Sequence, residues 1–434
     1  MPRAGVDGLP QLRVPVKQAP PRSHSGFDAL SPPSFLGAMY LLLFGLGAVD
    51  VVIEQSFPDL FQARLRRSFL DFGGLSVAPL AALLVGYLLF VIGYKWQAGR
   101  TLARLLPFAP GKLAPWRCMA ICTVVFVATF GVLVAYTNQV GYGRFKGTSP
   151  VESSLSRLSI LGELSLIPYT FVAWYYMRTK AEHRGALKKR IALSLFVVMG
   201  SLQLAISTVA GMRSRVVSVI LIALGARHYA LRPIRTRTFL AFACFNFVVL
   251  LPALDVLRGS TEAPFSIPMI WDSVMSRTSA LEGYTVTFDG LESAPRPDPL
   301  WLVVVSGLVP HVIWEGKPLS RNSDEFSLWA SSDSQAQLAP TLPGELLMHF
   351  GRIGGLVAMF ALGVFWRCLF EIFIGTERRR RTWGFVYITV VPTFLTTEAG
   401  FVLPYAFLVR FLAVSICMFL MVRTRGRSAL APSQ

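Results

Sequence analysis

The chain has little charge for its length. Charged residues make up 15% of its 434 positions, against 53% hydrophobic ones, and the mean hydropathy is +0.53. Such a composition excludes an ordinary soluble globule and fits a protein that crosses a membrane many times. Acidic residues are scarcer than basic ones, 24 against 42, which leaves a net charge of +18. In a membrane protein that excess belongs to cytoplasmic loops, so nucleic acid is not expected as a partner. There are five cysteines, all inside or at the edge of apolar runs, so neither a disulfide framework nor a zinc site is indicated. No Gly-x-x-x-x-Gly-Lys-[Ser/Thr] loop occurs, which argues against ATP hydrolysis. No two of the eleven aspartates are two apart, so an Asp-x-Asp holding a nucleotide-sugar metal is missing as well. We expect no cofactor and no resident metal.

What is present is a series of apolar runs of helix length: Phe35–Ile53, Phe72–Tyr94, Cys118–Thr137, Leu158–Met177, Ile191–Gly211, Val216–Leu231, Thr238–Leu257, Leu346–Ile374, Gly384–Thr397 and Phe401–Val422. These predict an all-α polytopic membrane protein of about ten spans. Residues 1–34 are proline-rich and basic and read as a disordered cytoplasmic tail. Seven spans follow over 35–257, a large outer loop over 258–345, three more spans over 346–422, and a cytoplasmic tail over 423–434. With the N-terminus inside, the cytoplasmic segments hold 26 Lys and Arg and the outer ones 13. The positive-inside rule then keeps both termini in the cytoplasm. The Pro299–Trp314 run is short for a span and would invert that charge pattern downstream. It is expected to be re-entrant or interfacial. Glu163 and Arg410 fall at overlapping depths of the fourth and tenth spans and are expected to pair.

The outer loop concentrates polar, aromatic, Pro and Gly residues in an otherwise apolar chain, the usual mark of a site. It carries Pro310-His311-x-x-Trp314-Glu315-Gly316-Lys317-Pro318, then Thr341-Leu342-Pro343-Gly344-Glu345 with Phe350-Gly351 and Gly354. These stretches, with Gly211-Met212-Arg213-Ser214-Arg215, resemble motifs of the Wzy-type polymerases, which join oligosaccharide repeat units of O-antigen and exopolysaccharide. His311 stands where that family usually has Arg, and His349 where it usually has Asn. An Arg-x10-Gly pattern occurs at Arg352 and Gly363, but Gly363 falls deep in a span and is taken as coincidence.

The resemblance implies a polymerase at the periplasmic face of a bacterial inner membrane. Its substrate would be an undecaprenyl-diphosphate-linked oligosaccharide, with a flippase and a chain-length regulator as possible partners. An O-antigen ligase-like transferase, or a transporter of lipid-linked sugars, are the alternatives. Glu345, assisted by His349 or His311, is the candidate acid–base group, placed at a helix start that favours its charge. By helical spacing His349 and Arg352 should share its face. Arg213, Arg215, Arg277, Lys317, Arg321 and Arg352 are candidate diphosphate ligands, because guanidinium groups grip phosphate oxygens in pairs and would stabilise charge on a leaving diphosphate. Trp301, Trp314 and Trp329 can stack on sugars or anchor at the interface.

Overall fold

The computed structural model describes residues 30–49, 52, 77–106, 115–140, 164–181, 186–209, 213–246, 249, 253, 279–297, 299, 302, 314, 326, 329, 340–375, 383–394 and 415. Among the described residues it is all-helical, with no strand. Among the described residues, five helical stretches are long and apolar enough to cross a membrane. The first comprises α1 (Pro32–Tyr40) and a π-helical turn, Leu41–Gly45, and runs on to Val49. The others lie in α2 (Val77–Lys95), α4 (Pro115–Val140), α6 (Ala186–Val209) and α10 (Thr341–Phe373). Shorter elements are α3 (Ala98–Leu105), α5 (Leu166–Ala181), α7 (Arg213–Ala230), α8 (Thr236–Phe245), α9 (Ser279–Asp289) and α11 (Gly384–Phe394).

The long helices leave large apolar side chains bare. Val77, Leu84 and Ile92 on α2, Val124 and Val127 on α4, Val197 and Val198 on α6, and Ile353 and Val357 on α10 are all exposed. A soluble protein does not leave such faces open, and lipid is the solvent that suits them. The chain is a helical membrane protein. The tenth expected span lies outside the described residues except for Ser415, as do Glu163 and Arg410.

Glycine sets the closest pairing, that of α2 with the second half of α10. Gly93 lies against the carbonyl of Phe360, and Gly363 against the carbonyl of Phe90. Small residues let the backbones touch, and in lipid that packing takes the place of hydrophobic burial between helices. Gly363 thus has a packing role. The contacts advance together along both helices, from Gly86 with Leu356 and Met359 to Phe90 and Tyr94 with Gly363, and continue past the end of α2, where Gly99 meets Val364 and Arg367 and Arg100 bonds Glu371 at 3.1 Å. The two helices therefore run parallel.

A second group is built on α5. It packs antiparallel to α6, with Tyr169 against Gly200 and stacked on Phe196. It runs parallel to α7, with the Tyr169 hydroxyl donating to the carbonyl of Val219 at 3.3 Å. The inward face of α6 is Ala192, Met199, Gly200, Gln203 and Ser207, so it turns from apolar to polar along its length. The groups meet through aromatic rings at one end. Tyr229 of α7 packs on Phe370 of α10, and both pack on Tyr387 of α11.

The helix α9 falls inside the stretch expected to be an outer loop. It packs within the bundle, with Tyr284, Thr285, Val286 and Thr287 buried and Tyr284 edge-on to Phe44. Its eleven residues are too few for a span, and its mixed Thr, Gly and Glu composition hides it from a hydropathy reading.

Candidate active site

The sequence places Glu345 at the start of a membrane span. In the structure the helix begins earlier and then breaks. Thr341 is wholly buried at φ 66, a left-handed conformation that strains a β-branched residue. Its hydroxyl accepts from the backbone N–H of Gly344 at 3.5 Å, so it acts as a cap. Pro343 follows in the first turn, where its missing N–H does no harm. No acid lies in that first turn, so Glu345 sits beyond it and gains less from the helix N-terminus than the sequence led us to expect.

The break comes at Gly351, at φ 72 and ψ 177. That region is essentially closed to any residue with a side chain. It splits α10 into a short buried helix up to Phe350 and a segment from Arg352 to Phe373 about 33 Å long at 1.5 Å per residue. Only the second segment is needed to cross the roughly 30 Å apolar layer. The short helix is free to carry Glu345 and His349 ahead of the spanning segment. Their side chains are 4% and 7% exposed, and Nε2 of His349 lies 4.0 Å from Oε1 of Glu345. That is ion-pair range but beyond a direct hydrogen bond.

A prediction follows for the break. A Cβ at Gly351 would meet no atom within 4 Å, so Gly351→Ala adds strain without a clash. It should cost about 1–3 kcal/mol of stability. The check is a lowered Tm of the purified protein, with the larger loss in activity because Glu345 and His349 turn with the short helix. An unchanged Tm would mean the break is not built into the fold.

Arg352 departs from its expected place. Continuous helical spacing would set it on the face of Glu345 and His349, but the break at Gly351 turns it away. It is exposed, its Nη2 donates to the carbonyl of Phe288 at 3.1 Å, and its guanidinium lies 4.9 Å from the Phe288 ring centre. It caps the last turn of α9, where a cation meets unpaired carbonyls. Burial holds the neighbouring Asp289 carboxyl above the usual carboxylate range, and the Arg352 charge offsets only part of that rise. The same α9 supports the short helix: a Cβ on Gly344 would lie 3.3 Å from the Thr287 hydroxyl. Arg352 therefore serves first to tie α9 to α10.

Arg215, the other candidate diphosphate ligand whose side chain the structure describes, is buried. It is 3% exposed. Its Nε and Nη2 donate to Oε1 of Gln203 at 3.1 and 3.0 Å, and Nη2 also donates to the hydroxyl of Ser165 at 2.6 Å. Nε2 of Gln203 donates to the same Ser165 hydroxyl at 2.6 Å. Three helical elements thus converge on one guanidinium. The sequence signal for this cluster is Gln203 with Ser207 one turn on, two polar residues on one face of an apolar span. Each residue alone looks like a tolerated polar substitution in an apolar span, and only their convergence marks a cluster.

His311, Arg277, Lys317 and Arg321 lie outside the described residues, as do Trp301 and the side chain of Arg213. Trp314 is half-buried. Trp329 packs on Phe326 and over Gly290, just past the end of α9. Among the described residues no group of three or more His, Cys, Asp or Glu side chains could hold a metal. No family model matches this chain, and no curated protein or solved structure matches it either.

Proposed function

We propose that the protein is a membrane glycosyltransferase that joins undecaprenyl-diphosphate-linked oligosaccharide repeat units at the periplasmic face of a bacterial inner membrane. The observation that carries this reading is the buried Glu345–His349 pair on a helix that stops at Gly351. The motif resemblance supplies the reaction class. The acceptor sugar hydroxyl attacks the anomeric carbon of the growing chain, and undecaprenyl diphosphate departs. Glu345 orients the hydroxyl and takes its proton, with His349 one turn away to share it. Arg215, with Arg213, Arg277, Lys317 and Arg321, answers the charge that grows on the diphosphate.

The charge distribution supports the sidedness. Lys95, Arg100 and Arg104 lie at the α10 end that holds Arg367 and Glu371, and the Tyr229–Phe370 contact brings Arg227, Arg232, Arg235 and Arg237 to that end too. A basic flank belongs in the cytoplasm. Arg215 lies fourteen residues back along α7 from Tyr229, about 21 Å, which carries it across the layer toward the end of the Gly351 break. Cysteine placed at the exposed Ser293, just after α9, should label from outside intact cells with an impermeant maleimide. Labelling only after lysis would reverse the assigned faces.

The direct test is the purified protein in vesicles with undecaprenyl-diphosphate-linked repeat units. Longer lipid-linked chains and free undecaprenyl diphosphate should appear together. Transfer only to a lipid A-core acceptor would favour the ligase-like alternative. Movement of the lipid-linked sugar without chain growth would favour a transporter, a class that also uses broken helices.

A further inference from the structure

The helix α3 has no part in the proposed chemistry, and its three faces are unlike one another. Gly99 and Ala103, one turn apart, are buried. A Cβ on Gly99 would lie 2.6 Å from Cβ of Arg367 and 2.8 Å from the carbonyl of Val364, so α3 is clamped on the inner end of α10. Trp96, in the bend between α2 and α3, adds a ring contact to Phe360 at 5.2 Å. A second face is apolar and bare: Trp96 is 53% exposed, Leu102 46%, Leu105 73% and Leu106 49%. The third is basic: Arg100 and Arg104 are exposed, Lys95 at the end of α2 just before the bend is exposed as well, and no acid occurs between Lys95 and Leu106. Arg100 also reaches Glu371 at 3.1 Å, which fixes the helix in orientation.

A short helix with one apolar and one cationic face lies in the plane of a membrane interface. α3 follows a spanning helix after only a two-residue bend, Trp96–Gln97, so it leaves the layer where headgroups begin. We propose that α3 is an interfacial helix that binds anionic phospholipid in the leaflet on the basic side of the protein. Leu102, Leu105 and Leu106 enter the acyl boundary, and Lys95 and Arg104 hold headgroup phosphate. Charge complementarity selects the occupant, since a wholly cationic strip repels a basic partner and attracts an anionic surface. The clamp of Gly99 and the Arg100–Glu371 bond tie this lipid site to α10, the helix whose other end carries Glu345.

The test uses the full-length protein in vesicles of phosphatidylcholine, with and without phosphatidylglycerol. Phosphatidylglycerol should raise its Tm, and Lys95→Gln with Arg104→Gln should remove that rise. Each lost cation should weaken the preference for the anionic lipid about fivefold. If the double variant does not fold, high salt on the unaltered protein replaces it and should abolish the same rise by screening. A nitroxide at Leu105→Cys, in a background lacking the native cysteines, reads depth. Collisions with oxygen should exceed those with a water-soluble nickel chelate. A Tm indifferent to phosphatidylglycerol would overturn the proposal. So would a label open to the chelate, or one shielded from both reagents because a second copy of the chain covers α3.

Discussion

Glu345→Gln should abolish polymer while leaving the protein in the membrane. The substitution keeps the shape of the side chain and its capacity for hydrogen bonds, and removes only the charge. A positioned acid–base group contributes about 10²–10⁴-fold to rate, so residual chain growth should be a hundredth or less. The buried setting strengthens the expectation. Glu345 is 3% exposed, and water cannot readily replace it as proton acceptor. Cells carrying the variant should accumulate single lipid-linked repeat units in place of long chains, and the electrophoretic ladder reads this directly. His349→Gln should give a smaller loss, because His349 stands 4.0 Å from the carboxylate, near enough to act on its charge but beyond a direct hydrogen bond. Normal ladders from Glu345→Gln would remove Glu345 from the chemistry and leave it as a residue of the short helix. His311 and the arginines would then become the leading site.

Gly363→Val should remove the folded protein itself. A Cβ at Gly363 would overlap the carbonyl of Phe90 and come within 2.8 Å of the backbone N of Tyr94. Both obstacles are main chain, so no side-chain rotation relieves them. The helices must separate and give up the Gly93–Phe360 approach one layer away. Overpacking of this kind costs about 3 kcal/mol, a large share of the roughly 5–15 kcal/mol that hold a protein folded. Membrane abundance and Tm should both fall sharply. Gly131→Val on α4 is the control, since nothing lies within 4 Å of its Cβ, and it should be tolerated. Equal abundance of the two variants would mean that α2 and α10 do not pack through their glycines.

How much of this was legible beforehand differs from one element to the next. The spans expected from Phe35, Phe72, Cys118, Ile191 and Leu346 have counterparts in the five membrane-length helical stretches, with ends displaced by a few residues. Hydropathy reads such helices well because each must satisfy its backbone polar groups internally and coat itself with apolar side chains. It reads short buried helices badly. α9 gains its environment from the π-helical turn Leu41–Gly45, α2 and α10, and nothing in its eleven residues announces that.

The site divides in the same way. That Glu345 and His349 share a face was decided by the sequence, because residues four apart on any helix do so. That Arg352 leaves that face was decided by one dihedral pair at Gly351, and a Gly in a sequence does not declare its φ. The burial of Arg215 was decided by tertiary structure alone. Its partners Gln203 and Ser165 lie twelve and fifty residues away in the chain. The sequence by itself determined a helical membrane protein with a basic excess, since solvent preference is a property of residues summed over a segment. The fold determined which polar residues meet, since pairing inside a bundle depends on which helices are neighbours and at what depth.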